Sequence, residues 1–504
     1  MPFIPSFIKW INTKRLSQID LFRKYPAESQ EKVLTWLIAR SRETVWGKEH
    51  GYASVASHRQ FCNNVPIQTY EELIPYVEKL RAGEENLLWP GEVRWFAKSS
   101  GTTSTKSKFI PITGESLKGT HYRGAKDCLV LYISLNPDTN IFRGKGLTLG
   151  GSKQISNFGN NSIYGDLSAI LIDNAPAYTD LLRTPPANIA LIPDFEEKME
   201  MITERTVDMN ITSISGVPSW NLVLIRHILK ATGKENLHQV WPNLEAFFHG
   251  GINFGPYREQ YRRLLPDPAM NYMETYNASE GFFAIQDDLS DSSMLLMLDY
   301  GVYYEFIPAE EVGSDNPRSL TIGEVEKGVN YAVVISTDGG LWRYAIGDTV
   351  EFTSLFPHKI KITGRTKHFI NAFGEEVIID NAEKALEKAC LGTGAHIIEY
   401  TAGPVYMGNN TRGSHEWVIE FDRAPDDPDH FIELLDTALK ELNSDYEAKR
   451  YKDLTLGKPI VKAVPKGTFY KWFRERDKLG GQNKMPRLSN NREYVESVLK
   501  SAGH

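Results

Sequence analysis

The chain has 504 residues, of which 41% are hydrophobic and 11% aromatic, and this composition excludes an intrinsically disordered protein. The formal net charge of −7 lacks the basic surplus of general nucleic-acid-binding proteins, so we expect no nucleic-acid partner. The length predicts roughly two to four domains, because single hydrophobic cores stop growing beyond about 250–300 residues.

The first eighteen residues, MPFIPSFIKWINTKRLSQ, are apolar but contain two early prolines and no small-residue cleavage site. This pattern argues against a signal peptide. We expect an arm that packs on the body of the protein. An arm that contacts a membrane surface or a second copy of the chain is the alternative.

Two helices are predicted in the first hundred residues. Apolar side chains at mixed three- and four-residue spacings predict a helix over residues 28–48. Thr69 followed by Glu72 has the spacing of a capping box and predicts the start of a second helix. Pro75 would interrupt or bend that second helix.

The three cysteines, Cys62, Cys128 and Cys390, are far apart in the sequence and form no CxxC pair. An odd number at such spacing argues against a disulfide framework and against a zinc site, and it fits a reducing compartment. No apolar run approaches the roughly 18 residues needed to span a bilayer. We therefore expect a cytoplasmic protein without a membrane partner.

The segment KSSGTTSTKSK, residues 98–108, contains no large apolar side chain, although apolar residues follow it at once. Hydroxyl groups, backbone N–H groups and lysines suit a polyphosphate, and Gly101 would allow close approach of the backbone. An ordinary solvated turn is the alternative. The segment is no Walker P-loop, because no second glycine precedes Lys106.

Three later stretches combine polar turns with apolar flanks. They are FFHGGINFGPYR (247–258), METYNASEGFFAIQ (273–286) and WRYAIGDTVEFT (342–353). The last belongs to a predicted hairpin over 331–352, with strands YAVVIS and LWRYAI and a TDGG turn between them. Each stretch alone is typical of a well-made turn, but the three together and in this order favour phosphate binding over an ordinary solvated turn at residues 98–108.

The pattern changes after residue 364, where we expect a domain boundary. Asp380 and Glu383 have capping-box spacing, and an apolar stripe then ends near Gly392. EWVIEF (416–421) alternates like a strand, and a helical stripe follows it (Phe431, Leu434, Leu435, Leu439, Leu442). Residues 1–363 would form a large first domain and residues 364–504 a small α/β domain.

Motifs along nearly the whole chain resemble those of the auxin-responsive Gretchen Hagen family of acyl-acid amido synthetases. They are VPIQTYEELIPYVEKLRAGE, SSGTT, GVPSW, YNASE, WRYAIGD and the late GQNKMPR. The chain looks like the microbial branch of that family, which lies within the adenylate-forming superfamily of acyl-CoA synthetases and luciferases. The resemblance implies an α/β, two-domain architecture. It has a large domain of β-sheets flanked by helices, with a small barrel-like sheet, and a small mobile C-terminal domain.

The resemblance also implies a reaction. ATP and a small carboxylic acid would form an acyl-AMP and pyrophosphate, and an amine, usually that of an amino acid, would then attack the acyl carbon. ATP and Mg²⁺ would be required. An acyl-CoA or acyl-thioester ligase shares the first step and remains an alternative, as does a non-catalytic acyl-acid or nucleotide-binding protein. The acid, the acceptor, any general base and the oligomeric state are not specified by the sequence, and a monomer is compatible with it.

The family's nucleotide-binding residues map onto this sequence motif by motif. The phosphate loop corresponds to Ser99, Ser100, Gly101, Thr102, Thr103 and Lys108, although Ser104, Thr105 and Lys106 stand where many members have glycine. Gly250 and Gly251 resemble the turn against the adenine. Tyr276 resembles the residue that stacks on the adenine, in a nucleotide-binding run with Asn277, Ala278 and Ser279, where Ser279 contacts the α-phosphate. Glu280 resembles the Mg²⁺ ligand.

The remaining assignments come from the same resemblance. Tyr344 belongs to the nucleotide-binding set, Asp348 resembles the carboxylate that binds both ribose hydroxyls, and Arg365 lies at the domain junction. Lys484 resembles the C-terminal lysine that stabilises charge during adenylation. Val217, Pro218, Ser219 and Trp220 resemble a segment lining the acyl pocket, although Trp220 also fits a core position. His249 either touches substrate or satisfies a backbone carbonyl.

Overall fold

The computed structural model describes residues 3–100, 107–151, 153–155, 162–252, 254–314, 317–365, 369–408, 412–453, 455–476 and 485–503. For residues 3–11, 100, 153–155, 195, 256, 365 and 380 it describes the backbone alone. No helix of the described part is long and apolar enough to cross a membrane.

The helices alternate with strands along most of the chain. They are α1 Phe3–Lys24, α2 Pro26–Ser41, α3 Val45–Glu49, α4 His58–Asn64, α5 Tyr70–Arg81, α6 Gly114–Ser116, α7 Tyr122–Leu135, α8 Leu167–Asp173, α9 Ala187–Ala190, α10 Phe195–Thr206, α11 Pro218–Thr232, α12 Arg258–Leu264, α13 Ile379–Thr393, α14 Pro428–Leu442, α15 Ser444–Lys449, α16 Thr468–Arg474 and α17 Glu493–Ala502.

The strands are β1 Trp95–Ser100, β2 Ser107–Ile112, β3 Lys145–Thr148, β4 Lys153–Ile155, β5 Ile163–Gly165, β6 Arg183–Thr184, β7 Ile211–Gly216, β8 Ala246–Gly250, β9 Asn271–Ala278, β10 Gly281–Gln286, β11 Met294–Leu296, β12 Val302–Pro308, β13 Asn330–Thr337, β14 Tyr344–Leu355, β15 His358–Arg365, β16 Phe369–Ile370, β17 Val377–Ile378, β18 His396–Val405, β19 Ser414–Arg423 and β20 Ile460–Val464.

The N-terminal helix α1 packs on the body of the protein, as predicted for the N-terminal arm. Ile19 and Phe22 are buried in the main core. Arg15 donates from Nε to Asp127 Oδ2 at 2.8 Å and from Nη1 to Asp299 Oδ2 at 2.6 Å, which anchors the helix through charge as well as apolar contact.

The prediction of one continuous helix over residues 28–48 is wrong, because the helix is interrupted at residues 42–44: α2 ends at Ser41 and α3 starts at Val45. The backbone N–H groups of Val45 and Trp46 bond to the carbonyls of Asn86 and Leu87 instead of to a preceding helical turn. The Thr44 hydroxyl accepts from the Gly47 N–H and caps the new helix. The capping box at Thr69 is confirmed, and α5 continues past Pro75 to Arg81.

Eleven of the described strands form one sheet in the order β12-β13-β14-β15-β11-β10-β9-β8-β7-β3-β6. Strands β7, β8 and β9 run parallel to one another. In the sheet order β9, β10, β11, β15, β14, β13 and β12, each strand is antiparallel to the next. The predicted hairpin is confirmed as β13 and β14, with Ile335 opposite Tyr344. A second sheet has the order β2-β1-β5-β4. The two ends of the polar segment 98–108 belong to β1 and β2, which pair antiparallel.

The last part of the chain has its own sheet, β18-β19-β20, against which α13 and α14 contribute apolar faces. The strand predicted at 416–421 and the helix with the stripe from Phe431 are confirmed. Helix α13 starts at Ile379, so the predicted capping residue Asp380 is wrong. The Ile378 N–H instead donates to Asn381 Oδ1 at 3.3 Å.

The C-terminal part contacts the first part around the start of α11. Ser219 Oγ donates to the Phe373 carbonyl at 3.2 Å, and Tyr257 Oη donates to the Ala372 carbonyl at 2.7 Å. Both hydrogen bonds reach the segment 371–376, which precedes β17. This segment is therefore attached to the elements that follow β7 and β8.

Candidate active site

The strand order of the large sheet brings three of the polar motifs together. Gly250 at the end of β8 pairs with Thr275 of the parallel strand β9. Ser279 and Glu280 form the turn between β9 and β10. The motif WRYAIGD starts β14, in which Asp348 lies opposite Arg365 of β15.

Tyr276 and Asp348 contact each other directly across the sheet. The Tyr276 hydroxyl donates to Asp348 Oδ2 at 2.6 Å, although the two residues are 72 positions apart. Both side chains are buried, and the Tyr276 ring meets Phe283 edge-on at 4.9 Å between centroids. The two residues that the sequence assigned to adenine and ribose therefore form one hydrogen-bonded unit.

Glu280 lies within electrostatic reach of three other charged side chains. Burial raises the pKa of the Glu280 carboxyl, Lys108 opposes that rise, and Glu376 and Asp348 add to it. Lys108, Glu376 and Asp348, which come from different parts of the sequence, therefore each lie close enough to Glu280 to influence its charge. A common site for the predicted phosphate, magnesium and ribose residues stays a prediction.

Only the base of the predicted phosphate loop is described. Ser99 lies opposite Lys108 in the β1–β2 pair, and Ser100 lies opposite Ser107. Gly101, Thr102 and Thr103, together with Ser104, Thr105 and Lys106, lie outside the described residues. Lys484 also lies outside them, and Arg365 is described in its backbone alone.

The Gly250–Gly251 turn packs too tightly for side chains. A Cβ atom on Gly250 would lie 2.4 Å from the Thr275 carbonyl oxygen and 3.1 Å from Asn277 Oδ1. Gly251 has a left-handed backbone with φ +82, and a Cβ there would lie 3.4 Å from Val217 Cγ2. The turn therefore lies between the end of β9, where Tyr276, Asn277 and Ala278 follow, and the start of the segment Val217–Trp220.

His249 precedes this turn and is buried, with its ring stacked on Phe254 at 4.1 Å between centroids. Burial lowers the pKa of the His249 imidazole to about 3, and the charge of Arg258 lowers it further. The ring is therefore neutral near pH 7 and does not act there as an ionised group. Contact between His249 and substrate stays a prediction.

The segment assigned to the acyl pocket starts helix α11. Val217 is its N-cap and Pro218 its first residue, and the Pro218 carbonyl accepts from the Tyr261 hydroxyl at 2.7 Å. Ser219 is fully buried and bonds to the C-terminal part, as described above. Trp220 is partly buried, with Lys449 Nζ 4.5 Å from its ring centroid. The pocket role of these residues stays a prediction.

The motif WRYAIGD also contains an arginine that the sequence analysis did not single out. Arg343 donates from Nε to Glu305 Oε2 at 3.0 Å and from Nη2 to Glu305 Oε1 at 3.0 Å, and both side chains are buried. Tyr344 follows it in the core, 1% exposed. The sequence signal for this pair was one basic residue, Arg343, among the mainly apolar residues of the predicted strand LWRYAI.

Glu376 is a second residue that sequence reasoning missed. It has an unusual left-handed backbone with φ +40, and its carboxylate is one of the charges that raise the pKa of Glu280. Its neighbour Glu375 is fully buried and accepts from the N–H groups of Ala372 and Phe373 and from His415. Strained backbone at a non-glycine residue marks such functional loops, but it cannot be recognised in one sequence.

The donor set at this site fits Mg²⁺ bound beside phosphate groups. Among the described residues, Glu376 and Asp348 add negative charge near Glu280, and Lys108 adds positive charge. Magnesium prefers oxygen ligands and is usually held by one or two carboxylates together with substrate phosphates. The excess of carboxylates would be offset by such a cation.

Comparison with known proteins assigns nearly the whole chain. Residues 15–270 match the GH3 family N-terminal domain, residues 295–365 the central domain and residues 380–493 the C-terminal domain. The indole-3-acetic acid-amido synthetase GH3.3 of Arabidopsis thaliana is 22% identical over 521 residues, covering 87% of this chain and 85% of the relative.

Two solved structures share the fold. The GH3.15 acyl acid amido synthetase of Arabidopsis thaliana, in complex with 2,4-DB, superposes with a TM-score of 0.62 at 19% identity, covering 97% of this chain and 96% of the other. A 2-hydroxyisobutyryl-CoA ligase gives a TM-score of 0.56 at 12% identity, covering 95% and 92%. The predicted two-domain α/β architecture is confirmed, since both structures share it over nearly the whole chain. The extent of the domain matches shows that the chain belongs to the GH3 family.

Proposed function

We propose that this protein is an ATP-dependent acyl-acid amido synthetase, which activates a small carboxylic acid as an acyl-adenylate and transfers the acyl group to an amine. The observation that carries the proposal is the hydrogen bond between Tyr276 and Asp348, together with the electrostatic influence of Lys108 and Asp348 on Glu280. Family membership supports it, since the relatives described above are amido synthetases by name.

In the first half-reaction, a carboxylate oxygen of the acid would attack the α-phosphorus of ATP. A new P–O bond forms, the bond to the β-phosphate oxygen breaks, and pyrophosphate leaves. A carboxylate is a poor electrophile, and AMP is a good leaving group for the second step. Lys108 and the hydroxyl groups of Ser99, Ser100, Thr102 and Thr103 are proposed to hold the phosphates, with Gly101 allowing close approach.

The nucleoside would be held by the elements around the Tyr276–Asp348 pair. Asp348 would accept hydrogen bonds from the ribose hydroxyls while Tyr276 keeps its carboxylate in place. The adenine would lie between the Tyr276 ring and the Gly250–Gly251 turn, with Tyr344 and Arg365 supporting the site from β14 and β15. Glu280 would hold Mg²⁺, which neutralises charge on the phosphate oxygens, and Ser279 would contact the α-phosphate.

In the second half-reaction, the amine nitrogen of the acceptor, proposed to be an amino acid, would attack the acyl carbon. The C–N bond forms, the bond to the AMP oxygen breaks, and the amine proton is released. This step requires a deprotonated amine in the correct orientation. The acyl group would lie near Val217–Trp220, since a Cβ atom on Gly251 would lie 3.4 Å from Val217 Cγ2.

The division into domains is part of the proposal. We assign residues 1–363 to ATP and acid binding and residues 364–504 to a mobile domain that brings Lys484 to the nucleotide. The matched central and C-terminal family domains end and begin at residues 365 and 380, which supports a boundary in this interval. We also propose a cytoplasmic location. Cys62, Cys128 and Cys390 form no disulfide in the described part of the chain, which fits a reducing compartment.

Replacement of Lys484 tests the adenylation step. Lys484→Ala is expected to lower acid-dependent ATP–pyrophosphate exchange by about 100-fold or more, because a preorganised cation stabilises charge that develops in the transition state. Exchange should be measured over a panel of aliphatic, aryl and indole acids. Lys500→Ala, an exposed lysine of α17, is the matched control and should leave exchange unchanged. Equal exchange by both variants would show that Lys484 is misassigned.

The same panel distinguishes amide from thioester products. The acid that supports exchange should be incubated with ATP, a mixture of amino acids and coenzyme A, and the products identified by mass. The amide is the expected product. A thioester without amide would favour an acyl-CoA ligase, and ATP binding without AMP release for any acid would favour a non-catalytic binding protein.

A further inference from the structure

A cluster of metal-ligating side chains lies outside the proposed active site. His58 and Cys62 are one turn apart on α4, so their side chains lie on the same helix face. Both reach Glu305 of β12: His58 Nε2 lies 3.1 Å from Glu305 Oε1, and Cys62 Sγ lies 3.3 Å from the same oxygen. Cys62 Sγ and His58 Nε2 are 3.1 Å apart.

These three separations approach the edges of a tetrahedral metal site. Zinc binds thiolate sulfur at about 2.3 Å, imidazole nitrogen at about 2.0–2.1 Å and carboxylate oxygen at about 2.0–2.2 Å, which at tetrahedral angles puts the donor atoms roughly 3.3–3.6 Å apart. The observed distances of 3.1, 3.1 and 3.3 Å are only a few tenths of an ångström shorter. A small outward shift of the donors would therefore admit the ion.

We propose that His58, Cys62 and Glu305 bind a divalent transition-metal ion, zinc or one of similar preference. The mixed set of sulfur, nitrogen and oxygen donors favours such an ion over Mg²⁺ or Ca²⁺, which prefer oxygen ligands alone. Three protein ligands leave one tetrahedral position for water, and the Ser319 hydroxyl, which donates to Glu305 Oε1 at 2.6 Å, would help to orient that carboxylate. The thiol proton is released to solvent when the metal binds.

The surroundings resemble those of a supported metal site. Arg343 donates two hydrogen bonds to the Glu305 carboxylate and would orient it as an outer-shell partner. A divalent ion bound to one thiolate and one carboxylate has no net charge. The bound ion would therefore repel the guanidinium group of Arg343 much less than a bare cation would. The His58 side chain is 25% exposed, which provides a route for entry of the ion.

The bound ion would join α4 to β12. Without it, the same side chains form a hydrogen-bonded cluster around the buried Glu305–Arg343 pair. The local spacing of the three cysteines predicted no zinc site. Glu305 is 243 residues from Cys62, so only the fold supplies the third ligand.

Titration of chelator-treated, full-length protein with Co²⁺ tests this proposal independently of any enzymatic activity. We expect one equivalent of Co²⁺ to produce a near-ultraviolet thiolate-to-cobalt charge-transfer band and visible bands of a tetrahedral site, both removed by Zn²⁺. Cys62→Ser should abolish the charge-transfer band, and His58→Ala should weaken binding at least tenfold. Cys390→Ser, the matched cysteine control on α13, should behave like the unchanged protein.

Absence of the charge-transfer band in the unchanged protein, or its persistence in Cys62→Ser, would overturn the proposal. Cys62→Ala provides a second variant if the serine substitution lowers the yield of folded protein. Thermal unfolding gives an independent readout. Zn²⁺ should raise the unfolding temperature of the unchanged protein and of Cys390→Ser, but not that of either Cys62 variant. An equal rise in all of them would also contradict the site.

Discussion

Replacing Asp348 by alanine is expected to lower acid-dependent pyrophosphate exchange by about 100-fold or more. The carboxylate is proposed to accept hydrogen bonds from both ribose hydroxyls, and bonds to a charged group contribute about 1.5–3 kcal/mol each. Losing two such bonds costs at least about 3 kcal/mol, which corresponds to about two orders of magnitude in rate or affinity. The variant also removes the acceptor of the Tyr276 hydroxyl, so the ring that is proposed to stack on the adenine loses this hydrogen bond.

Two variants at Tyr276 separate these contributions. Tyr276→Phe keeps the ring and removes only the hydroxyl that donates to Asp348, so we expect a smaller loss of exchange than for Asp348→Ala. Tyr276→Ala removes the stacking surface as well and should raise the KM for ATP further. Asp422→Ala, an exposed aspartate paired with Lys466 on the surface, is the matched control. Normal exchange and an unchanged KM for ATP in Asp348→Ala would contradict the ribose assignment.

The sequence predicted elements of the fold best where the signal was local. The hairpin over 331–352 and the stripe from Phe431 follow from periodicity and turn residues, and both are confirmed. The glycine pair at 250–251 has a steric reason in the structure, because a Cβ on Gly250 would meet the Thr275 carbonyl oxygen. Local patterns therefore predicted individual secondary-structure elements and turns.

Local patterns could not predict contacts between residues that are far apart in the sequence. The helix predicted over 28–48 is broken because Val45 and Trp46 bond to the backbone near residue 86, a competition that no local pattern reveals. The Tyr276–Asp348 hydrogen bond and the approach of Glu376 to Glu280 depend on strand order and on where the C-terminal part packs. The family resemblance supplied individual roles, whereas the structure shows that Tyr276 bonds to Asp348 and that Glu280 is influenced by Lys108, Glu376 and Asp348.

The second large effect concerns the arginine of the motif WRYAIGD. Arg343→Met is expected to destabilise the protein by about 3–5 kcal/mol, because it leaves Glu305 buried without its main cationic partner. Glu305 is fully buried, and Arg343 also donates to the Val65 carbonyl at 2.7 Å, so the loss is more than one ion pair. The motif thus has two parts: Arg343 secures the start of β14, and Asp348, five residues later, is proposed to bind the ribose.

Chemical denaturation of Arg343→Met, Glu305→Leu and the double variant measures this effect as a double-mutant cycle. The double variant should be less destabilised than Arg343→Met, because apolar residues replacing both partners leave no uncompensated buried charge. Arg318→Met is the matched control: Arg318 donates to Glu311 at 2.6 Å, but its side chain is 66% exposed, so solvent screens the pair and little change is expected. If Arg343→Met unfolded at the same denaturant concentration as Arg318→Met, the buried pair would not support β14, and the position of Asp348 would have to depend on the Tyr276 hydrogen bond and the pairing with β15 alone.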